Sequence, residues 1–139
     1  MDEKPRIMLV DDEERFRITT GRLLSVRGFE VTDAGSGKEA LEELKKNAYD
    51  VIVLDVRMPE MTGIEALAAI KKVQPGVEVI ILTGHASVDT AVEIMRLGGC
   101  EYLLKPCSID DLVDKIEAAC ERRKSRKDLT GKLGPTEHR

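Results

Sequence analysis

Five polar residues stand at the ends of short apolar segments, and together their side chains could bind a cation and a phosphoryl group. Asp11 and Asp12 follow Ile7–Val10, Asp55 follows Val51–Leu54, Thr83 follows Val77–Leu82, and Lys105 follows Tyr102–Leu104. Three neighbouring carboxylates repel one another unless a cation lies between them. Carboxylate oxygens select a hard cation, and Mg²⁺ suits an incomplete cage that shares phosphate oxygens. Asp11 and Asp12 alone would indicate only a helix start, but the whole set predicts a site.

These residues converge only if the apolar segments form one sheet. The four segments are continuously apolar, which favours parallel strands buried on both faces, and Phe29–Asp33 is a weaker fifth candidate. Helical patterns separate the strands, the first at about Glu13–Val26, and the later ones have start signals at Ser36, Thr62, Ser87 and Ser108. The alternation predicts a doubly wound α/β domain, in which the carboxyl ends of the strands share one edge.

Composition excludes several classes of protein. The 139 residues carry a net charge of -4, only 3% are aromatic and none is Trp, which argues against a nucleic-acid-binding domain. No apolar run is long enough to span a bilayer, and the first residues do not resemble a signal peptide. Cys100, Cys107 and Cys120 form no C-x-x-C pair, so we expect reduced thiols in a cytoplasmic protein.

The pattern changes near the C-terminus. We expect a lead-in over residues 1–5, one domain over 6–121 and a polar basic tail or linker over 122–139. Residues 121–139 hold seven Lys/Arg against three Asp/Glu, and the apolar period stops after about Glu121. A solvated, disordered tail is favoured over a nucleic-acid-binding one, because aromatic residues and a fold signature are missing.

The segments Ile7–Glu13 and Leu54–Gly63, with the separate Thr83 and Lys105–Pro106, resemble receiver domains of response regulators in two-component signalling. The resemblance implies a flavodoxin-like (βα)5 fold with a parallel five-stranded sheet of order 2-1-3-4-5. It also implies a phosphoacceptor that is not a turnover enzyme. Asp55 would be phosphorylated, and Lys105 would pair with Asp55 and later with a phosphoryl oxygen. Asp11, Asp12, Asp55 and the backbone carbonyl of Arg57 would hold Mg²⁺.

Other positions match the family's regulatory residues. Thr83 resembles the switch hydroxyl and Tyr102 the aromatic switch residue, although a core position for Tyr102 is equally favoured. A cis Lys105–Pro106 bond is implied, and Gly63 is expected to serve the turn and the helix start. Arg57 and His85 lie two residues after Asp55 and Thr83, and we expect them to slow loss of the phosphate by covering the site.

The resemblance also implies partners. A sensor histidine kinase or phosphotransfer protein would dock near Arg15, Thr19 and Arg22. An unknown downstream protein or output domain, or a second copy, would use the face made by the last two helices and the strand between them. Apolar residues there, such as Val88, Met95 and Ala118, are mostly expected in the core. The segment Thr83–Val92 is similar to receivers of the nitrogen-regulator class, usually fused to an ATPase and a DNA-binding module. Neither module is visible here, so we expect a stand-alone receiver or the receiver of a longer protein.

Rival functions are weaker. A dehalogenase-type phosphatase would need D-x-D-x-T, but Val56-Arg57-Met58 follows Asp55. A P-loop is excluded by its missing motif. A flavodoxin-like cofactor carrier would need a Ser/Thr/Gly phosphate loop after the first strand, where Asp11 and Asp12 would repel the phosphate. A pseudo-receiver, which binds partners without phosphorylation, stays open if Arg57 or His85 shields the site.

Overall fold

The computed structural model describes the backbone of residues 4–85 and 87–133 and the side chains up to Arg126. Strand and helix alternate five times along the chain. The elements are β1 (Arg6–Val10), α1 (Glu14–Val26), β2 (Glu30–Ala34), α2 (Gly37–Leu44), β3 (Val51–Leu54), α3 (Gly63–Val73), β4 (Glu78–Thr83), α4 (Val88–Arg96), β5 (Glu101–Leu104) and α5 (Ile109–Leu133). The predicted order of strands and helices is confirmed, with strand bounds shifted by one residue at most ends.

The five strands form one parallel sheet of order β2-β1-β3-β4-β5, as predicted. Its register decides where the polar residues emerge. Val10, the last residue of β1, lies opposite Leu54, the last residue of β3. Because the next residues are Asp11 and Asp55, these two carboxylates leave neighbouring strands at the same level.

Both faces of the three central strands β1, β3 and β4 are buried, whereas the edge strands β2 and β5 are partly exposed. Along β1, Met8 and Val10 belong to the core beneath α2, α3 and α4. Ile7 and Leu9 belong to the opposite core, where they pack with Leu24 of α1 and with residues of α5. Burial of one such aliphatic side chain contributes about 1.5–3 kcal/mol, and this two-sided core fixes the positions of the strand ends.

Side-chain caps start four helices at the residues predicted, and at the last of them the Ser108 hydroxyl accepts from the Asp111 amide of α5 at 3.0 Å. Thr62 and Glu65 form a reciprocal capping box at the start of α3, and Ser87 caps α4. Ser36 accepts from the Glu39 amide, but the Glu39 carboxylate accepts from the Gly35 amide, so this box is only half formed. The caps fix where each helix leaves the loops at the carboxyl edge of the sheet.

The prediction of a disordered tail after Glu121 is wrong for residues 122–133, because α5 continues to Leu133. Ionic contacts replace apolar periodicity there. Arg122 and Arg126 pair with the buried Glu78, and Arg123 pairs with Asp50. Residues 134–139 of the predicted tail and residues 1–3 of the predicted lead-in lie outside the described part of the chain.

Three residues expected mostly in the core are on the surface. Val88 and Met95 of α4 are 80% and 52% exposed, and Ala118 of α5 is exposed as well. For Val88 and Met95 the reason is that α4 buries only Ile94 fully, whereas Ala118 lies on the exposed side of α5. Among the described helices, none has the length and apolar character to cross a membrane.

Candidate phosphoacceptor site

Three carboxylates meet at the carboxyl edge of the sheet. One oxygen from each of Asp11, Asp12 and Asp55 lies within 4.8 Å of the other two. Asp11 and Asp55 are buried, whereas Asp12 is exposed. The cluster therefore has two buried carboxylates and one that faces solvent. All of its ligand atoms are oxygens, which fits a hard divalent cation.

Lys105 supplies a positive charge at the bottom of this cluster. Its Nζ donates to Asp11 Oδ2 at 2.6 Å and lies 3.6 Å from Asp55 Oδ2. The ammonium also lies 4.1 Å from the centre of the Phe16 ring. The prediction that Lys105 pairs with Asp55 is thus met only at the longer distance, and Asp11 is its closer partner. The predicted cis Lys105–Pro106 bond is present.

The two oxygens of Asp55 have different surroundings. Oδ1 accepts a hydrogen bond from the Arg57 amide at 3.2 Å, whereas Oδ2 faces Lys105. Burial raises the pKa of Asp55, and the charge of Asp11 raises it further. The Arg57 amide, Lys105 and the Thr83 hydroxyl oppose that rise in pKa without cancelling it. A cation bound beside this carboxylate would favour its charged form and so oppose the effect of burial.

Thr83 and Tyr102 both contact the backbone of His85. Thr83 is buried at the end of β4, and its hydroxyl oxygen accepts from the His85 amide at 3.4 Å. The Tyr102 hydroxyl donates to the His85 carbonyl at 2.5 Å, while its ring is half-buried against the core. The loop after β4 is thus connected to the site by one hydroxyl and to β5 by the other.

Arg57 and His85, the residues predicted to cover the site, are both exposed. Arg57 lines an open cavity of about 530 Å³ together with Asp12, Met58 and Pro59. A cavity of this size can admit a phosphoryl donor next to the carboxylates. Arg57 therefore borders this cavity with an exposed side chain, and its predicted effect on the phosphate lifetime stays a prediction.

Gly63 is required for close approach rather than for an unusual backbone angle. A Cβ at this position would lie 2.4 Å from the Val56 Cα and 2.6 Å from the Asp55 carbonyl oxygen. The Gly63 amide donates to the Val56 carbonyl at 2.7 Å. The start of α3 is therefore packed directly on the backbone of Asp55, a contact that the predicted turn role did not include.

One residue near the site was missed by sequence reasoning. Arg17 of α1 donates from Nη1 to the Asp11 carbonyl and from Nε to Asp33, both at 2.7 Å. An arginine one turn into a polar helix is ordinarily solvated, so its position in the sequence gives no signal of this contact. Only the fold brings α1 and the end of β2 to the same peptide.

The comparisons with known proteins agree with this geometry. The family model described as "Response regulator receiver domain" matches residues 7–117. The chain belongs to this family. In response regulator receivers of two-component systems the matched region is the phosphoaccepting module, and the fold observed here is the fold of that family.

Solved receivers superpose closely on this one. A CheY-like receiver domain from Methanospirillum hungatei JF-1 has a TM-score of 0.87 at 29% identity, covering 89% of this chain and 99% of that one. A receiver domain from Clostridium thermocellum has a TM-score of 0.82 at 38% identity, covering 86% of this chain and 97% of that one.

The curated relatives are much longer proteins. The transcriptional regulatory protein ZraR of Escherichia coli K12 is 40% identical over 113 residues, which are 81% of this receiver and 26% of that protein. The luminescence regulatory protein LuxO of Vibrio campbellii is 40% identical over 104 residues, 75% of this receiver and 23% of that protein. The predicted similarity to the nitrogen-regulator class is confirmed, and this chain spans about a quarter of the length of these relatives.

Proposed function

We propose that this receiver takes a phosphoryl group from a histidine kinase or phosphotransfer protein onto Asp55 in a cation-dependent reaction. The observation that carries the proposal is the convergence of Asp11, Asp12 and Asp55 within 4.8 Å, with Lys105 contacting two of them. No other described group of His, Cys, Asp and Glu side chains has this character. The protein would act as a signalling phosphoacceptor in the cytoplasm rather than as a turnover enzyme.

Mg²⁺ is the cation that the donors favour. Asp11, Asp12 and Asp55 would hold it through carboxylate oxygens, with the Arg57 carbonyl as the further ligand implied by the family. The ion would neutralise charge on the phosphoryl oxygens and on the attacking carboxylate. A bound cation would also oppose the burial and the Asp11 charge that raise the pKa of Asp55.

The chain's own residues supply positioning. The Arg57 amide holds Asp55 Oδ1, which leaves Oδ2 as the attacking oxygen on the side of Lys105. Oδ2 would form a bond to phosphorus as the bond from phosphorus to the kinase histidine nitrogen breaks, and that nitrogen keeps the electron pair. Lys105 would then contact a phosphoryl oxygen, which stabilises the acyl phosphate by a charge-assisted hydrogen bond.

The signal would pass through the loop after β4. We propose that Thr83 bonds the phosphoryl group and draws in the His85 backbone, and that Tyr102 moves with it because its hydroxyl is bonded to the same residue. A shift between two packings of α4, β5 and α5 would follow. The exposed apolar side chains of Val88, Val92, Met95 and Leu104 support this face as the surface for a partner or a second copy.

Arg57 and His85 would set the lifetime of the phosphate by limiting the approach of water. Both side chains are exposed, and Arg57 lines the cavity next to Asp12. Replacing either with Ala should speed loss of the phosphate. Lifetimes of R57A and H85A that equal the wild-type value would remove this part of the proposal.

Intact-mass measurement after incubation with a small acyl-phosphate donor tests the core of the proposal. The expected result is a single phosphate adduct that requires Mg²⁺ and is absent both with a chelator and in Asp55→Asn. An adduct that persists in D55N would place the phosphate elsewhere. Complete absence of an adduct, with a histidine kinase as donor as well, would favour the pseudo-receiver alternative.

A further inference from the structure

Arg17 connects three elements at the edge of the acidic cluster. Its Nε donates to Asp33 Oδ2 and its Nη1 to the Asp11 carbonyl oxygen, each at 2.7 Å. The Arg17 side chain is 16% exposed, although it comes from a helix with a largely polar surface. The guanidinium also lies against Gly35, where a Cβ would be 3.2 Å from Nη1. The arginine is therefore held in a narrow slot between α1 and the end of β2.

The carbonyl that Arg17 contacts belongs to the peptide between Asp11 and Asp12. At this point the chain is leaving the sheet: the Asp11 amide still donates to the Ala34 carbonyl of β2, but Asp11 is no longer in β1. The orientation of this peptide decides where the Asp12 side chain points. A charge-assisted bond from a planar, partly buried guanidinium is a strong means of fixing it.

Asp11 itself is held from the other side. Its Oδ1 accepts from the Glu13 amide at 2.9 Å, and its Oδ2 accepts from Lys105. These contacts fix the Asp11 carboxylate but not the following peptide. Arg17 supplies the remaining restraint, and Asp33 in turn fixes the plane of the guanidinium by bonding Nε.

We propose that Arg17 is a positioning residue for the cation site, which holds the Asp11–Asp12 peptide so that both carboxylates face Asp55, with Asp33 orienting Arg17. This inference rests on the proposed cation-binding function of the same cluster. It assigns Arg17 no contact with the phosphoryl group or with the cation.

The sign of one substitution separates positioning from simple charge. Arg17→Gln removes a positive charge next to a cation site, so electrostatics alone would make Mg²⁺ bind more tightly. Loss of positioning makes it bind more weakly. Arg17→Lys keeps the charge but cannot make the two directed contacts, so it too should weaken binding. Partners that orient metal ligands are worth about 10- to 100-fold in affinity, and for an open site we expect about tenfold.

The test is a calorimetric Mg²⁺ titration of the unphosphorylated protein. Arg15→Gln is the matched control, because Arg15 is an exposed arginine on the same helix with no bond to the Asp11–Asp12 peptide. R17Q and R17K should both raise the Kd about tenfold, whereas R15Q should leave it unchanged or slightly lower. Thermal unfolding in chelator, where no cation contributes, checks that each variant is folded.

Asp33→Asn provides a second route if R17Q folds poorly, because Asp33 is half-exposed. D33N should weaken Mg²⁺ binding in the wild type and have a smaller effect in the R17Q background, since the two residues act through one contact. Equal effects in both backgrounds, or R17Q binding as tightly as R15Q, would overturn the positioning role while leaving the cation site intact. If the wild type binds no Mg²⁺, the cation site fails and the role of Arg17 with it.

Discussion

Replacing Lys105 with Met should make the stability of this receiver depend on Mg²⁺. The ammonium is 2.6 Å from Asp11 and 3.6 Å from Asp55, whose side chains are only 3% and 10% exposed. At an effective dielectric constant of about 20, the Coulomb attraction at these distances is about 6 and 5 kcal/mol before desolvation is subtracted. Burial lowers the pKa of Lys105, but the hydrogen bond to Asp11 and the charges of Asp11, Asp55 and Glu13 together raise the pKa above its ordinary value.

Removing one partner of a buried ion pair costs about 3–5 kcal/mol. Lys105 is 20% exposed and the carboxylates can take up a proton, so we expect the lower end, about 3 kcal/mol, in chelator. Saturating Mg²⁺ should recover part of this loss, because the cation no longer competes with the ammonium. A tenfold gain in affinity corresponds to about 1.4 kcal/mol of recovered stability.

Urea unfolding followed by circular dichroism, in chelator and in saturating Mg²⁺, measures both quantities. Lys115→Met is the matched control, because Lys115 pairs with Glu101 at 3.8 Å and both side chains are partly exposed to solvent. Such a pair is worth about 0–1 kcal/mol and should show no dependence on Mg²⁺. If K105M loses the same stability in chelator as in saturating Mg²⁺, or loses no more than K115M, Lys105 does not compensate for the negative charge of the carboxylates.

Three further results are expected. Gly63→Ala should cost about 1–3 kcal/mol of folding free energy and slow phosphorylation, because the added Cβ must displace the Asp55 backbone. Gly76→Ala is the control, because its added Cβ meets no other atom, and urea unfolding measures both variants. Equal losses of stability in the two variants would contradict the argument. Burial raises the pKa of Glu78, but hydrogen bonds from Arg126, Cys100 and Arg122 hold the net pKa below 4.5. The ionised Glu78 therefore stabilises the folded state fully above pH 4.5, and this contribution is lost as the pH falls through the folded-state pKa. The stability gap between wild type and Glu78→Gln should therefore narrow below about pH 4, and a gap that is constant with pH would argue against this contact. Carbon NMR of the Asp55 carboxyl without Mg²⁺ should show a titration midpoint above 3.8 that falls in Asp11→Asn, since burial and the Asp11 charge raise its pKa; a midpoint unmoved by the substitution would rule out Asp11 as a cause.

The acidic cluster could be predicted from the sequence because it depends only on strand order and strand ends. Once β1 and β3 are recognised as parallel neighbours, Asp11 and Asp55 must emerge together, whatever their side-chain angles. Helix starts at Thr62 and Ser87 were equally accessible, since a cap is a local contact within four residues.

The contacts that could not be predicted are those between residues far apart in the chain. Lys105 lies 2.6 Å from Asp11 and 3.6 Å from Asp55, and residue types alone do not decide which carboxylate is the closer partner. The contacts of Arg17 with Asp33 and of Arg122 with Glu78 join elements through charge, which leaves no periodic pattern in the sequence. The end of α5 gives no signal for the same reason, because ion pairs rather than a hydrophobic period hold it to the sheet.

The ion pairs that attach α5 to the start of β4 have a geometric consequence. Arg122 and Arg126 both contact Glu78, the first residue of β4, so the rotation of α5 about its own axis is fixed relative to the strand that ends at Thr83. An α-helix turns by about 100° and rises about 1.5 Å per residue. The direction that the backbone of α5 faces at Leu133 is therefore a matter of helical phase. Inserting one residue after Arg126 would rotate it by about 100°, and inserting seven, nearly two full turns, would restore it to within about 20°.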